Sequence, residues 1–121
     1  MKKKCVLISG PTIASDNKLG DEIQKYAVVL TNSDNRQLFS ILKEKKIELI
    51  LFEIVKENLA DIEFIREAKS DFPDILIILI DGIGNSNLIA KAFQYGVKDA
   101  FRKPYKYDLI KERVRVLLNI K

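Results

Sequence analysis

Five short apolar segments alternate with five segments of helical periodicity along this chain. The apolar segments are Cys5–Ile8, Ala27–Leu30, Leu49–Phe52, Ile75–Ile80 and Val97–Arg102, and the first four contain no polar residue apart from the cysteine. Strands without alternating polar positions are typical of a parallel sheet that helices cover on both faces. We therefore predict a three-layer α/β fold, a (βα)5 doubly wound parallel sheet with the strand order 2-1-3-4-5.

The helical segments are recognised by apolar residues three or four positions apart. The first is predicted at about residues 18–25, where Gly20 weakens it, and the fourth ends before Gly96. No linker, repeat or low-complexity segment interrupts the alternation. Residues 1–121 are therefore expected to form one domain.

Composition excludes several classes of protein. The 121 residues include no histidine, which excludes histidine-ligated zinc, a Ser-His-Asp triad and a phosphohistidine relay. The single Cys5 cannot form an internal disulfide. The longest apolar run, around Leu76–Ile80, is too short to cross a bilayer. We expect a cytoplasmic protein with no membrane partner.

Charged and small residues follow the predicted strands at the edge where parallel α/β sheets bind ligands. They are Ser9-Gly10 after the first strand, Glu53 after the third, Asp81-Gly82 after the fourth and Lys103 after the fifth. In the predicted strand order these four strands are neighbours. We expect the ends to converge and Lys103 to lie between the carboxylates of Glu53 and Asp81.

Three stretches resemble the receiver domain of bacterial response regulators, and the resemblance covers essentially the whole chain. They are Gly96–Pro104 with its Lys103-Pro104 pair, the strand Leu49–Glu53, and the final helix containing residues 113–118. The resemblance implies a flavodoxin-like fold and a part in two-component signal transduction.

The residues that carry the chemistry of that family are mostly replaced, and only Lys103 is retained. The replaced positions are Glu53 for the phosphoacceptor aspartate, Ser9 and Gly10 for the acidic pair that holds Mg²⁺, Asp81 for the Ser/Thr that contacts the phosphoryl group, and Ala100 for the aromatic switch residue. The proline and glycine usual after the phosphoacceptor strand are also absent, at Glu57 and Asp61.

These replacements predict that the chain does not accept a phosphoryl group. Phosphoryl transfer depends on positioning and on charge neutralisation by Mg²⁺, which prefers carboxylate ligands that Ser9 and Gly10 do not offer. Glu53 also displaces a nucleophile by about 1.5 Å, one carbon–carbon step. We expect no enzymatic activity, no metal and no cofactor. Glu53 is then either a member of a static ion pair or an imitation of a phosphorylated aspartate.

Two alternatives stay open at this point. The first is a receiver that is still weakly phosphorylated. The second is a flavodoxin-like module for small anions or nucleotides, because the loop Ser9–Ser15 between a strand and a helix is rich in Ser, Thr and Gly, a composition that suits phosphate.

The C-terminal part of the chain is basic. Residues 98–121 carry eight Lys/Arg against three Asp/Glu. We expect an interaction surface there for a protein partner, a C-terminal output domain or a second copy of the chain, and no direct binding of nucleic acid. Its candidate residues are Arg102, Tyr105, Lys106, Tyr107, Lys111, Arg113 and Arg115. Tyr105 and Tyr107 have an equally good interpretation as packing residues.

Overall fold

Strands and helices alternate along residues 3–120, the part of the chain that the computed structural model describes. In chain order the elements are β1 (Cys5–Ser9), α1 (Asn17–Gln24), β2 (Val28–Asn32), α2 (Leu38–Glu44), β3 (Leu49–Ile54), α3 (Leu59–Asp71), β4 (Leu76–Asp81), α4 (Ser86–Gln94), β5 (Asp99–Arg102) and α5 (Tyr107–Leu117). Single 3-10 turns at Ile13–Ser15 and Asn35–Gln37 precede α1 and α2.

The five strands form one sheet in the order β2-β1-β3-β4-β5, and every neighbouring pair is parallel. This confirms the predicted fold class and strand order. Three strands begin later than predicted: β2 at Val28, β4 at Leu76 and β5 at Asp99. The cause is local. The N–H groups of Ala27, Ile75 and Val97 donate to Ile23 O, Phe72 O and Ala92 O, so these residues still belong to the end of the preceding helix or to the turn after it.

Alternation along the strands divides the core into two layers. Leu7, Ile50 and Leu79 face α2, α3 and α4, whereas Ile8, Leu51 and Ile80 face α1 and α5. Successive strand residues point to opposite faces, so the positions at the strand ends are divided in the same way. Within residues 3–120, no helix has both the length and the apolar character that a bilayer crossing requires.

Candidate functional site

The carboxylate of Glu53 lies at the end of β3 and is fully buried, with 0% of the residue exposed. Its Oε1 atom accepts hydrogen bonds from the backbone N–H of Thr12 at 2.8 Å and of Ile13 at 3.0 Å. Its Oε2 atom accepts from the Thr12 hydroxyl and from Lys103 Nζ. Four donors from the β1–α1 loop and the end of β5 therefore enclose the carboxylate. We call these four donors the Glu53 cradle.

Gly10 provides the space that the Glu53 side chain occupies. A Cβ atom at Gly10 would lie 2.3 Å from Glu53 Cβ and 2.4 Å from Oε1, which is far inside van der Waals contact. Gly10 also has a φ of +155°, a backbone conformation that residues with side chains rarely adopt. The glycine and the glutamate therefore fit each other, and a larger residue at position 10 displaces the carboxylate.

Ser9 belongs to a buried polar network. Its hydroxyl donates to Asn35 Oδ1 at 2.7 Å and accepts from Asn32 Nδ2 at 3.0 Å. Asn35 Nδ2 in turn donates to the main-chain oxygen of Glu53 at 2.9 Å. This network joins the ends of β2, β1 and β3 through neutral side chains. Within residues 3–120, no group of three Asp, Glu or Cys residues is arranged to hold a metal ion.

The expected ion pair between Lys103 and Asp81 does not form. Asp81 is buried, and its Oδ1 atom accepts from the backbone N–H groups of Ile83 and Gly84, both at 2.9 Å. Asp81 continues the strand positions that face α2–α4, whereas Glu53 continues the positions that face α1 and α5. The two carboxylates therefore leave the sheet on opposite faces, and Lys103 pairs with Glu53.

Hydrogen bonding keeps Glu53 ionised despite its burial. Burial alone raises the pKa of Glu53, but the hydrogen bonds from Lys103, from the Thr12 hydroxyl and from the N–H groups of Ile13 and Thr12 outweigh it. The pKa of Glu53 therefore lies below that of an ordinary glutamate. The carboxylate is a permanent anion at neutral pH.

The basic residues of the predicted interaction surface differ in their surroundings. Lys111 approaches Glu22 and Asp108, Arg113 pairs with Asp99 at 3.1 Å, and Arg115 lies 3.5 Å from Glu112. Acidic neighbours in the same chain thus offset these three charges. Arg102 and Lys106 are exposed and take part in none of the ion pairs among the described residues.

Tyr105 and Tyr107 both contact Asp16. Their hydroxyls donate to its carboxylate, and their rings meet edge to face with centroids 5.6 Å apart. Asp16 also caps α1 by accepting from the N–H of Leu19. The two tyrosines therefore tie the start of α5 to the start of α1, and both are only partly exposed.

Sequence reasoning missed the residues that surround Glu53. Thr12 and Ile13 lie in the Ser/Thr/Gly-rich loop for which phosphate binding was an open alternative, and the composition of the loop was the available signal. The loop does bind an anion, but the anion is a side chain of the same protein. Asn32 and Asn35 had no comparable signal, because their contacts depend on the 3-10 turn at Asn35–Gln37.

The sequence of this chain is similar to those of known proteins, over shares of their length that differ widely. No family model matches the chain. It is 26% identical over 94 residues to the chemotaxis protein CheY of Bacillus subtilis, covering 78% of each protein. It is 26% identical over 115 residues to the hydrogenase transcriptional regulatory protein HoxA of Cupriavidus necator, and spans 24% of that protein. A probable glucose-6-phosphate isomerase of Methanococcus maripaludis is 32% identical over 81 residues, which are 18% of its length.

Solved structures match the fold over nearly the whole chain. A response regulator from Thermotoga maritima superimposes with a TM-score of 0.85 at 21% identity, covering 97% of this chain and 98% of the other. A CheY-like receiver domain from Methanospirillum hungatei JF-1 gives 0.84 at 17% identity, covering 98% and 96%. The chain has the flavodoxin-like α/β fold of response-regulator receiver domains. The resemblance predicted from the sequence is thereby confirmed, in fold by these structures and in sequence by the similarity to CheY.

The fit between Gly10 and Glu53 is testable by a double-mutant cycle. We expect Gly10→Ala to lower the free energy of unfolding by about 2 kcal/mol or more, because the new methyl group overlaps the Glu53 side chain. In a Glu53→Gly background, which lacks both the Cβ and the carboxylate that the new methyl group would meet, the cost of Gly10→Ala should fall, with a coupling energy of about 1–3 kcal/mol. Urea denaturation of the four proteins measures both quantities.

Gly20→Ala is the matched control for this cycle. No atom lies within 4 Å of a Cβ at Gly20, and the residue is in α1, so alanine there should stabilise the protein by up to about 1 kcal/mol. Equal costs of Gly10→Ala with and without Glu53 would contradict the proposed fit.

The lowered pKa of Glu53 predicts a specific dependence of stability on pH. A carboxylate whose pKa is lower in the folded state than in the unfolded state adds stability above its unfolded pKa, about 4.3, and loses that contribution as the pH falls through the folded value. We expect wild type to be more stable than Glu53→Gln at pH 7, with the difference narrowing below about pH 5. Urea midpoints of both proteins from pH 7 to pH 3 measure it. A difference that stays constant or widens in acid would refute the assignment.

Proposed function

We propose that this chain is a pseudo-receiver, a signalling domain that acts by protein–protein interaction and does not undergo phosphorylation. The observation that carries the proposal is the Glu53 cradle. Both oxygens of the carboxylate at the phosphoacceptor position already accept hydrogen bonds, and one of them also pairs with Lys103. The Glu53 carboxylate is therefore already paired with Lys103, the cation that a phosphoryl group would need.

The donor set around the site supports the absence of metal-assisted chemistry. Gly10 offers no side chain, and the Ser9 hydroxyl is engaged by Asn32 and Asn35. Mg²⁺ usually takes one or two carboxylates beside water, and it requires nearly octahedral geometry. The carboxylate of Glu53 faces the donors of its cradle. The residues present do not fit Mg²⁺, and the proposal includes no catalytic residue and no cofactor.

The same contacts argue against small-anion or nucleotide binding at the β1–α1 loop. The backbone donors of Thr12 and Ile13 are those that a phosphate would use, and both are bound to Glu53. A free anion would have to displace a carboxylate that is tethered to the same chain and therefore present at high effective concentration.

The proposed partner is a protein, either an output domain in the same polypeptide or a separate cytoplasmic protein, and a second copy of the chain is an additional candidate. The similarity to HoxA, a transcriptional regulatory protein about four times as long as the matched region, supports an arrangement with an output domain. Direct binding of nucleic acid is not part of the proposal, because intramolecular carboxylates offset Lys111, Arg113 and Arg115.

Incubation with acetyl phosphate and Mg²⁺, followed by intact-mass measurement, tests the absence of phosphorylation. We expect no mass gain for the wild-type chain under conditions that label a receiver domain with an aspartate at the phosphoacceptor position. A receiver domain that carries the acidic pair and the phosphoacceptor aspartate is the positive control, and it should gain one phosphoryl group. A gain of one phosphoryl mass by the wild-type chain would overturn the proposal.

Glu53→Gln separates a fixed ion pair from an imitation of a phosphorylated aspartate. In the fixed-pair arrangement, the substitution should change amide resonances only near Thr12, Ile13 and Lys103, since Asp81 and α4 lie on the other face of the sheet. In an imitation that controls a signalling state, the changes would extend through α4 and β5. Backbone NMR spectra of the two proteins distinguish the outcomes. We expect local changes, because Ala100 provides no aromatic ring to transmit a switch.

A further inference from the structure

A groove between the β4–α4 turn, α4 and β5 contains a buried acceptor without a partner. Asp81 is 1% exposed, and its Oδ1 atom is held by the turn that it caps. Its Oδ2 atom is buried and has no hydrogen-bond partner within the described residues, and Asp81 lines a groove whose volume is about 350 Å³. A buried polar atom without a partner costs about 1–3 kcal/mol, so a ligand that brings a donor to Oδ2 recovers that cost.

A cation lies on the same face as this carboxylate. Arg102 is the register partner of Asp81 on the neighbouring strand, and both line the groove. Its guanidinium lies over the turn at Gly84, where a Cβ atom would be 2.5 Å from Nη2. None of the ion pairs among the described residues involves Arg102, so no ion pair joins it to Asp81 in the groove.

The remaining walls are mostly apolar. Ile89, Phe93 and Ala100 line the groove, and Phe93 is 45% exposed. Ser86, the first residue of α4, adds a hydroxyl at the rim. Ligand pockets span about 300–1,000 Å³, so the groove suits a molecule at the small end of that range.

We propose that this groove binds a small zwitterion, a free α-amino acid with an apolar side chain. The ammonium group donates to Asp81 Oδ2, the carboxylate pairs with Arg102, and the side chain packs on Phe93 and Ile89. An ammonium alone leaves Arg102 unpaired, and a carboxylate alone leaves Asp81 Oδ2 without a donor. This proposal uses residues on the face of the sheet opposite Glu53, so it is independent of whether the chain is phosphorylated.

Titration of the ¹⁵N-labelled chain with L-phenylalanine, followed by backbone NMR, tests the proposal. We expect saturable shifts in the millimolar range, confined to the amides of the β4–α4 turn, α4 and β5. Two analogues define the class of ligand: 3-phenylpropionate lacks the ammonium and phenethylamine lacks the carboxylate. Each should bind about tenfold more weakly or worse, as the loss of one charge-assisted contact implies.

Substitutions of the two charged groove residues test which contacts the ligand makes. Asp81→Asn retains an Oδ1 acceptor for the turn and replaces the Oδ2 acceptor by an amide donor, so it should abolish binding while the chain stays folded. Arg102→Gln changes an exposed residue and should weaken binding about tenfold. Lys106→Gln, an exposed cation outside the groove, is the control and should bind as wild type does.

Three results would overturn the proposal. They are the absence of saturable shifts with phenylalanine, binding of either analogue as tightly as phenylalanine, and unchanged binding by Asp81→Asn and Arg102→Gln. Binding of the uncharged p-cresol as tightly as phenylalanine would also overturn it, and would instead indicate an acceptor for the hydroxyl of a docked aromatic side chain.

Discussion

The pairing of one buried carboxylate with four donors determines the shape of the C-terminal edge of this sheet. Glu53 holds the β1–α1 loop against the end of β3 through Thr12 and Ile13, and holds the end of β5 through Lys103. A buried charge is tolerated only when its hydrogen bonds replace the lost hydration, and here they do so fully enough to keep the pKa low. The loop, the lysine and the carboxylate therefore depend on one another.

The contacts of Glu53 illustrate that the fold of receiver domains and their phosphoryl chemistry depend on different residues. The fold needs five buried strands and their crossovers, and neither depends on which residues follow the strands. The chemistry needs an accessible nucleophile and a metal, and the site contains a shielded carboxylate and a network of neutral side chains instead.

The sequence was sufficient to predict the fold, because the fold depends on the periodicity of apolar residues. Uninterrupted apolar strands alternating with helices predicted the sheet order, and the strand starts were misplaced at Ala27, Ile75 and Val97, whose N–H groups bond back to the preceding helix or turn. The contacts within the site were harder to predict, because they depend on the directions in which side chains leave the sheet. Proximity of strand ends suggested that Lys103 meets both Glu53 and Asp81, but the two-residue period places the carboxylates on opposite faces. Counting two residues on, from Leu51 to Glu53 and from Leu79 to Asp81, would have placed the carboxylates on opposite faces only if the register between β3 and β4 had been known.

The overlap between position 10 and Glu53 also constrains how this sequence can change over generations. An acidic residue introduced at Gly10 alone would collide with the buried glutamate, and Glu53→Asp alone would withdraw the carboxylate from donors fixed in the loop. Each single substitution at this pair therefore passes through a less stable protein. The two positions are coupled by epistasis, so neither residue is easily changed without the other.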